Sequence, residues 1–247
     1  MDQLPKYLRI HTINELKTIL QGGLDNEGGK LMRHSLNEGQ EVLNNLLKDM
    51  GKEVERILQG CIETLKSLDR TQAEYWIAED QVVNNLERQV DDECVRLIAT
   101  QQPVAKDLRK VISAMKISTD LERMGDLAIG IAKVVRRIEG PLCKPLVDIP
   151  LMADKALAMM RQGLEAYRNE DMDLAHNLAM QDDKVDHLYN QIVRDLLVIM
   201  SQKPEIIDQG MYLTFAGRYL ERFADHATNI GENVIYIKTA ERKDLNK

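Results

Sequence analysis

Two acidic pentapeptides carry the strongest chemical signal in this chain, Glu122-Arg123-Met124-Gly125-Asp126 and Glu221-Arg222-Phe223-Ala224-Asp225. On a helix, residues four apart lie one turn apart on one face, so Glu122 sits over Asp126 and Glu221 over Asp225. Asp182 and Asp186 form a third pair at the same spacing. Like charges so placed repel, and beside a core they also lose hydration, so a captured cation is the natural complement. Oxygen ligands without paired His or Cys suit hard divalent ions such as Mg, Mn or Ca. Fe and Zn also accept carboxylates, so a multinuclear site is a further candidate and the metal's identity stays open.

The competing reading is structural. With 40 acids in 247 residues, roughly six pairs at this spacing arise by chance, and most become solvated faces or partners of a nearby arginine. Here Arg123 and Arg222 stand ready for that role. What favours a cation site is recurrence, because the pentapeptides fall at matching places in two similar halves. His187 and His226 each follow an acid, but one step along a helix turns a side chain by about 100°, which places them beside the ligands or on the surface.

The elements that must position these acids follow from periodicity. Leu43, Leu47, Met50, Val54, Ile57, Cys61, Leu65 and Leu68 recur at steps of three and four, a core-facing stripe of about seven turns. Val83, Leu86, Val90, Cys94 and Leu97 mark a second helix that stops near Pro103. A third runs from about Val104 to Ile138, and Pro141, Pro145 and Pro150 then form a linker. Met152, Ala156, Met159, Met160, Leu164 and Tyr167 stripe a fourth helix; residues 174–200 and 206–237 give a fifth and sixth. Asp80 aligns with Asp182 and Asn84 with Asp186, 102 residues apart, while the pentapeptides are 99 apart. Short connections make sequential helices antiparallel, so each half reads as a three-helix bundle. Asp80 and Asn84 are then expected to face Glu122 and Asp126, as Asp182 and Asp186 face Glu221 and Asp225.

The expectation is an all-α protein of two tandem three-helix repeats, residues 32–140 and 141–247, preceded by an extension over 1–31 that is a leader or a short helix. The glycines before Lys30 miss the phosphate-loop register, because Leu24 takes the first glycine position and Leu31 follows the lysine. A net charge of −7 without a dense basic run argues against nucleic acid. No apolar run long enough to span a bilayer and no secretory leader are legible, which points to the cytoplasm. Three scattered cysteines suggest neither a disulfide framework nor a thiolate site. No Ser-His-Asp set is present, so no enzyme is indicated, and the absence of Glu-x-x-His motifs argues against a di-iron oxidase.

The motifs Asp-Glu-Cys-Val-Arg-Leu-Ile-Ala at 92–99, Gln-Gln-Pro-Val-Ala-Lys-Asp-Leu-Arg at 101–109, Asp-Leu-Glu-Arg-Met-Gly-Asp at 120–126, Asp-Asp-Lys-Val-Asp at 182–186 and Tyr-Leu-Glu-Arg-Phe-Ala-Asp-His at 219–226 resemble the PhoU family from about Met32 onward. The resemblance implies a six-helix, usually dimeric protein that represses the phosphate-starvation response. It would act beside the ATPase subunit of the high-affinity phosphate ABC transporter and the sensor histidine kinase; an accessory role to a permease-type phosphate transporter is the alternative. It also implies metal clusters on the acidic motif, which maps onto Glu122 with Asp126, Asp182 with Asp186, and Glu221 with Asp225. Asp80 matches the first position of the remaining motif and Asn84 departs from its Asp. An amide oxygen ligates without charge, so the first-half site should hold a cation less tightly.

Overall fold

The structure, a computed structural model, describes residues 26–79 and 81–245. The expectations for residues 1–25 lie outside the described residues, as does Asp80. Helix α1 spans Asn26–Ser67, α2 Arg70–Ala78, α3 Gln81–Gln101, α4 Ala105–Arg137, α5 Asp148–Asn169, α6 Met172–Gln202 and α7 Ile207–Thr239, with a 3-10 turn at Pro204–Ile206. No strand occurs among the described residues. The chain folds as two tandem helical repeats, and the third long helices of the two halves, α4 and α7, form the most extensive helix pair.

The stripes read from periodicity are the core. Leu43, Leu47, Met50, Val54, Ile57, Cys61 and Leu65 are buried on α1, and Val83, Val90, Cys94 and Leu97 on α3. Burying each such side chain contributes about 1.5–3 kcal/mol, which fixes which face of each helix turns inward. Burial also pushes the Cys61 and Cys94 thiols up to about 12, so both behave as small apolar side chains. No described helix is long and apolar enough to cross a membrane.

Three local features depart from expectation. Helix α1, described from Asn26, passes through Gly28 and Gly29, because glycine weakens a helix by only about 1 kcal/mol and does not end it by itself. Pro150 lies in the first turn of α5, inside the helix and outside the linker, since the amide hydrogen it lacks has no intrahelical partner there. The third is α2, a helix without a strong stripe that buries only Ala73. Asp69 caps it, accepting hydrogen bonds from the Thr71 and Gln72 amides at 2.9 and 3.0 Å.

Trp76 anchors α2 to α1. Its indole nitrogen donates to Thr64 Oγ1 at 3.2 Å, and Arg56 lies 5.3 Å from its ring while reaching Glu79 at 2.6 Å. The ring occupies the space that Gly60 leaves open, for a Cβ there would stand 1.8 Å from Trp76 Cζ2. Gly60→Ala must therefore expel the chain's one tryptophan. Its fluorescence should shift to the red and gain access to a soluble quencher, with the rest of the helix content retained; an unchanged spectrum would contradict this packing.

Polar contacts lock the halves together. Arg109 of α4 donates twice to the Ile237 carbonyl near the end of α7, at 2.9 and 3.1 Å. Glu170, in the left-handed region (φ 52°) at the α5–α6 turn, meets Lys106, Lys110 and Lys238 at 2.5, 2.9 and 3.3 Å. Gln209 of α7 holds the linker by accepting from the Cys143 amide and donating to the Glu139 and Pro141 carbonyls. These contacts fix the angle at which the acidic faces of the two repeats are presented.

Candidate metal centre

In the second half, α6 and α7 bring the predicted acids together. Val185 and Ala224 are fully buried in the shared core, so the residues flanking them along each helix, Asp182 and Asp186 on α6 and Glu221 and Asp225 on α7, lie at the edge of that seam. Asp182 is 6 % exposed. Burial pushes its carboxyl up to about 7, and the charges of Asp186, Asp225 and Glu221 add to the shift. Glu221 is raised to about 6 by burial and by Asp225, against the pull of Arg218. Asp186 and Asp225 are also raised, burial first in both cases; Asp183 adds to it for Asp186, and Asp186 adds to it for Asp225.

Arg222, the arginine expected to neutralise this cluster, pulls the Glu221 and Asp225 carboxyls down less than Arg218 does. Arg218, one turn earlier on α7, pairs with Glu221 Oε1, whereas Arg222 is exposed. Only one Glu221 oxygen is served. Its Oε2 and the Asp182 Oδ1 are buried with no hydrogen-bond partner among the described residues. A buried anionic oxygen without a partner costs on the order of 1–3 kcal/mol or more. Two on facing helices make a donor set whose chemistry fits a bound cation. No three described His, Cys, Asp or Glu side chains are gathered tightly enough to hold a metal ion. An ion bound there would have to draw the carboxylates closer together than they stand.

The first half is built differently. Glu122 and Asp126 both lie near Arg123, at 3.5 and 3.6 Å, as the structural reading of the pentapeptide requires. Asn84 is half-buried on α3, and Asp80, the other predicted ligand, is outside the described residues. Gly125 is buried with Val83 at 3.4 Å from where a Cβ would stand, an ordinary contact. Alanine would fit there, as Ala224 does in the other copy. The small fourth residue of each pentapeptide thus serves close helix approach.

His187 is exposed. His226 is half-buried and pairs with Asp120 of α4 at 2.9 Å, and Asn229 donates to the same carboxylate at 3.1 Å. Sequence reasoning missed this link between the halves and the role of Arg218. The spacing of Arg218 three residues before Glu221 was the available signal for the second; nothing local pointed to the first.

A duplicated all-α scaffold with an acidic cluster between the second and third helices of a repeat defines the class. A family model described as PhoU domain matches residues 47–135 and 149–234. The chain is 38% identical over 208 residues to the phosphate-specific transport system accessory protein PhoU homolog of Clostridium acetobutylicum, covering 83% of this chain and 95% of that one. It is 32% identical over 216 residues to the homolog of Streptococcus pneumoniae, covering 87% and 100%. The crystal structure of PhoU from Pseudomonas aeruginosa superposes with a TM-score of 0.77 at 34% identity, covering 83% of this chain and 99% of that one. The chain belongs to the PhoU family.

Proposed function

We propose that this protein is a negative regulator of phosphate uptake and of the phosphate-starvation response. In this reading it is a cytoplasmic, non-enzymatic homodimer that acts as an adaptor between the ATPase subunit of a phosphate ABC transporter and the sensor histidine kinase. The near full-length match to relatives named as phosphate transport accessory proteins supports it.

Metal belongs to the same proposal. The observation that carries it is the pair of buried oxygens, Asp182 Oδ1 and Glu221 Oε2, left without hydrogen-bond partners on facing helices. Asp182, Asp186, Glu221 and Asp225 would hold the ion; Asp80, Asn84, Glu122 and Asp126 would form a weaker first-half site, since Arg123 already supplies positive charge there. A bound cation, Mg, Mn, Fe or Zn, would neutralise the acids and stiffen the α6–α7 face. The chain's own residues do the rest: Arg218 holds one Glu221 oxygen, and the His226–Asp120 pair fixes α7 against α4.

The test is capture of partners from phosphate-replete and phosphate-starved cells with metal analysis of the same eluate. Co-purification of the transporter ATPase subunit and the kinase, reduced in a Glu221→Ala/Asp225→Ala protein that has lost metal, supports the proposal. Capture of a permease-type phosphate transporter instead, or unchanged capture and metal in the variant, overturns it.

A further inference from the structure

The 99-residue offset that relates the pentapeptides also relates two clefts along the α4–α7 crossing. One, of about 520 Å³, has Lys116 and Asp120 of α4 facing Asn229, Glu232 and Tyr236 of α7. The other, of about 220 Å³, has Phe215 and Tyr219 of α7 facing Gly130, Lys133 and Arg137 of α4. Position for position, Lys116 answers to Phe215, Asp120 to Tyr219, Asn229 to Gly130, Glu232 to Lys133 and Tyr236 to Arg137. Even the central contact repeats. Asn229 donates to Asp120 at 3.1 Å, and the Tyr219 ring lies against Gly130, 3.0 Å from where a Cβ would stand.

Duplication thus built two equivalent clefts, and their chemistry has diverged. The first is charge-balanced, lined by three acids, Asp91, Asp120 and Glu232, and three cations, Lys116, Arg242 and Lys243. The second has no acid in its lining and carries two cations and three aromatics, the third being Tyr212, on a chain of net charge −7. Among the described residues neither Lys133 nor Arg137 has an ion-pair partner. Beside this cleft Ile207, Met211 and Phe215, at four-residue steps on one face of α7, are 44%, 47% and 45% exposed. They form an apolar stripe about 12 Å long. Scattered exposed apolar side chains are ordinary, but a stripe bordered by the exposed cations Lys133 and Arg137 has the anatomy of an interaction surface.

We propose that this cleft binds an acidic amphipathic segment of a partner protein, its apolar side chains on the Phe215 stripe and its carboxylates on Lys133 and Arg137. Charge complementarity selects the occupant, because a basic, aromatic cleft on an acidic protein attracts negative segments. The proposal rests on the adaptor reading in requiring a protein partner, and it is separate from the carboxylate cluster.

The test selects random peptides, long enough for about four helical turns, against the full-length protein, and measures the enriched ones by fluorescence anisotropy. Enriched peptides should pair acids with apolar residues at steps of three or four and bind less tightly as salt rises. Lys133→Glu/Arg137→Glu should weaken them about tenfold or more and Phe215→Ala about fivefold, while Lys116→Glu in the equivalent cleft leaves them unchanged. All these side chains except the half-buried Lys116 are exposed, so unchanged helix content by circular dichroism is expected of the key variants and is checked alongside binding.

Peptides without acids, or equal binding to the charge-reversed protein, overturn the proposal. So does loss of self-association in that variant, which would make the face a contact between two copies, or loss of binding to phosphatidylglycerol vesicles, which would make it a lipid surface. If peptide binding fails while the transporter ATPase subunit and the kinase are still captured, this surface falls and the adaptor reading stands. If the unaltered protein captures neither, the adaptor reading falls on its own.

Discussion

Asp182→Asn should raise the melting temperature of chelator-treated protein at pH 8, by roughly 5 °C, although it removes a residue of the candidate site. The Asp182 carboxyl is buried, carries an oxygen without a partner and is pushed up to about 7 by burial and by Asp186, Asp225 and Glu221. An acid whose folded value lies above its ordinary 3.8 opposes folding wherever it is ionised. That penalty is fully present above pH 7 and is relieved as pH falls through 7 toward 4. An amide of the same shape carries no charge and donates to the surrounding carboxylates, so on the order of 2 kcal/mol is recovered. The unaltered metal-free protein should gain stability between pH 8 and pH 5, and the variant should show less of that slope. Added Mn should reverse the order, stabilising the unaltered protein by mass action and leaving the variant nearly unmoved. A variant less stable than the parent in both conditions would mean that Asp182 is an ordinary structural carboxylate.

Glu170→Gln should have a large effect of the opposite sign, a fall in melting temperature of roughly 6–12 °C at pH 7. Burial by itself would raise the Glu170 carboxyl, but hydrogen bonds from Lys106 and Lys110 outweigh it and hold the group down at about 2. Lys110 is 9% exposed, and removing its counter-charge strands a buried ammonium, which costs about 3 kcal/mol. For a depressed acid the stabilising contribution is present above the ordinary value of 4.5 and is lost as pH falls from there toward 2. The unaltered protein should therefore lose stability steeply across that window and the variant should be flatter. Because Lys238 of α7 shares the same carboxylate, the variant should also loosen the α4–α7 angle, seen as faster amide exchange at the end of α7. A variant that melts with the parent would show the lysine cluster to be a solvated surface network.

How much of this was legible in the sequence depends on whether a residue's role is set by its own helix or by a distant one. The stripes of α1, α3 and α5 turned inward as their spacing required, because burial of Leu, Met and Val decides helix orientation whatever the neighbour. Helix α2 was not legible: its nine residues bury only Ala73, and Trp76 holds it through a gap at Gly60 sixteen positions away. Pro150 misled because the same residue ends a helix from inside and starts one from its first turn. At the acidic site, repetition of Glu-x-x-x-Asp located the acids, but the identical motif met different surroundings. Arg123 lies against both acids of the first copy, whereas Arg218 reaches one oxygen of the second and leaves another unserved. That asymmetry is a property of side-chain direction and of the facing helix, and four-residue spacing carries neither.

Metal stoichiometry is the most direct test of the claim that the α6–α7 carboxylates await a cation. Protein stripped with chelator, exposed in turn to Mg, Mn, Fe and Zn, desalted and analysed by native mass spectrometry should retain at least one ion per chain. Asp182→Asn/Asp186→Asn/Glu221→Gln/Asp225→Asn should lose that ion, and Glu122→Gln/Asp126→Asn should keep it. Retention of no ion by the unaltered protein, or equal retention by the α6–α7 variant, would contradict the account.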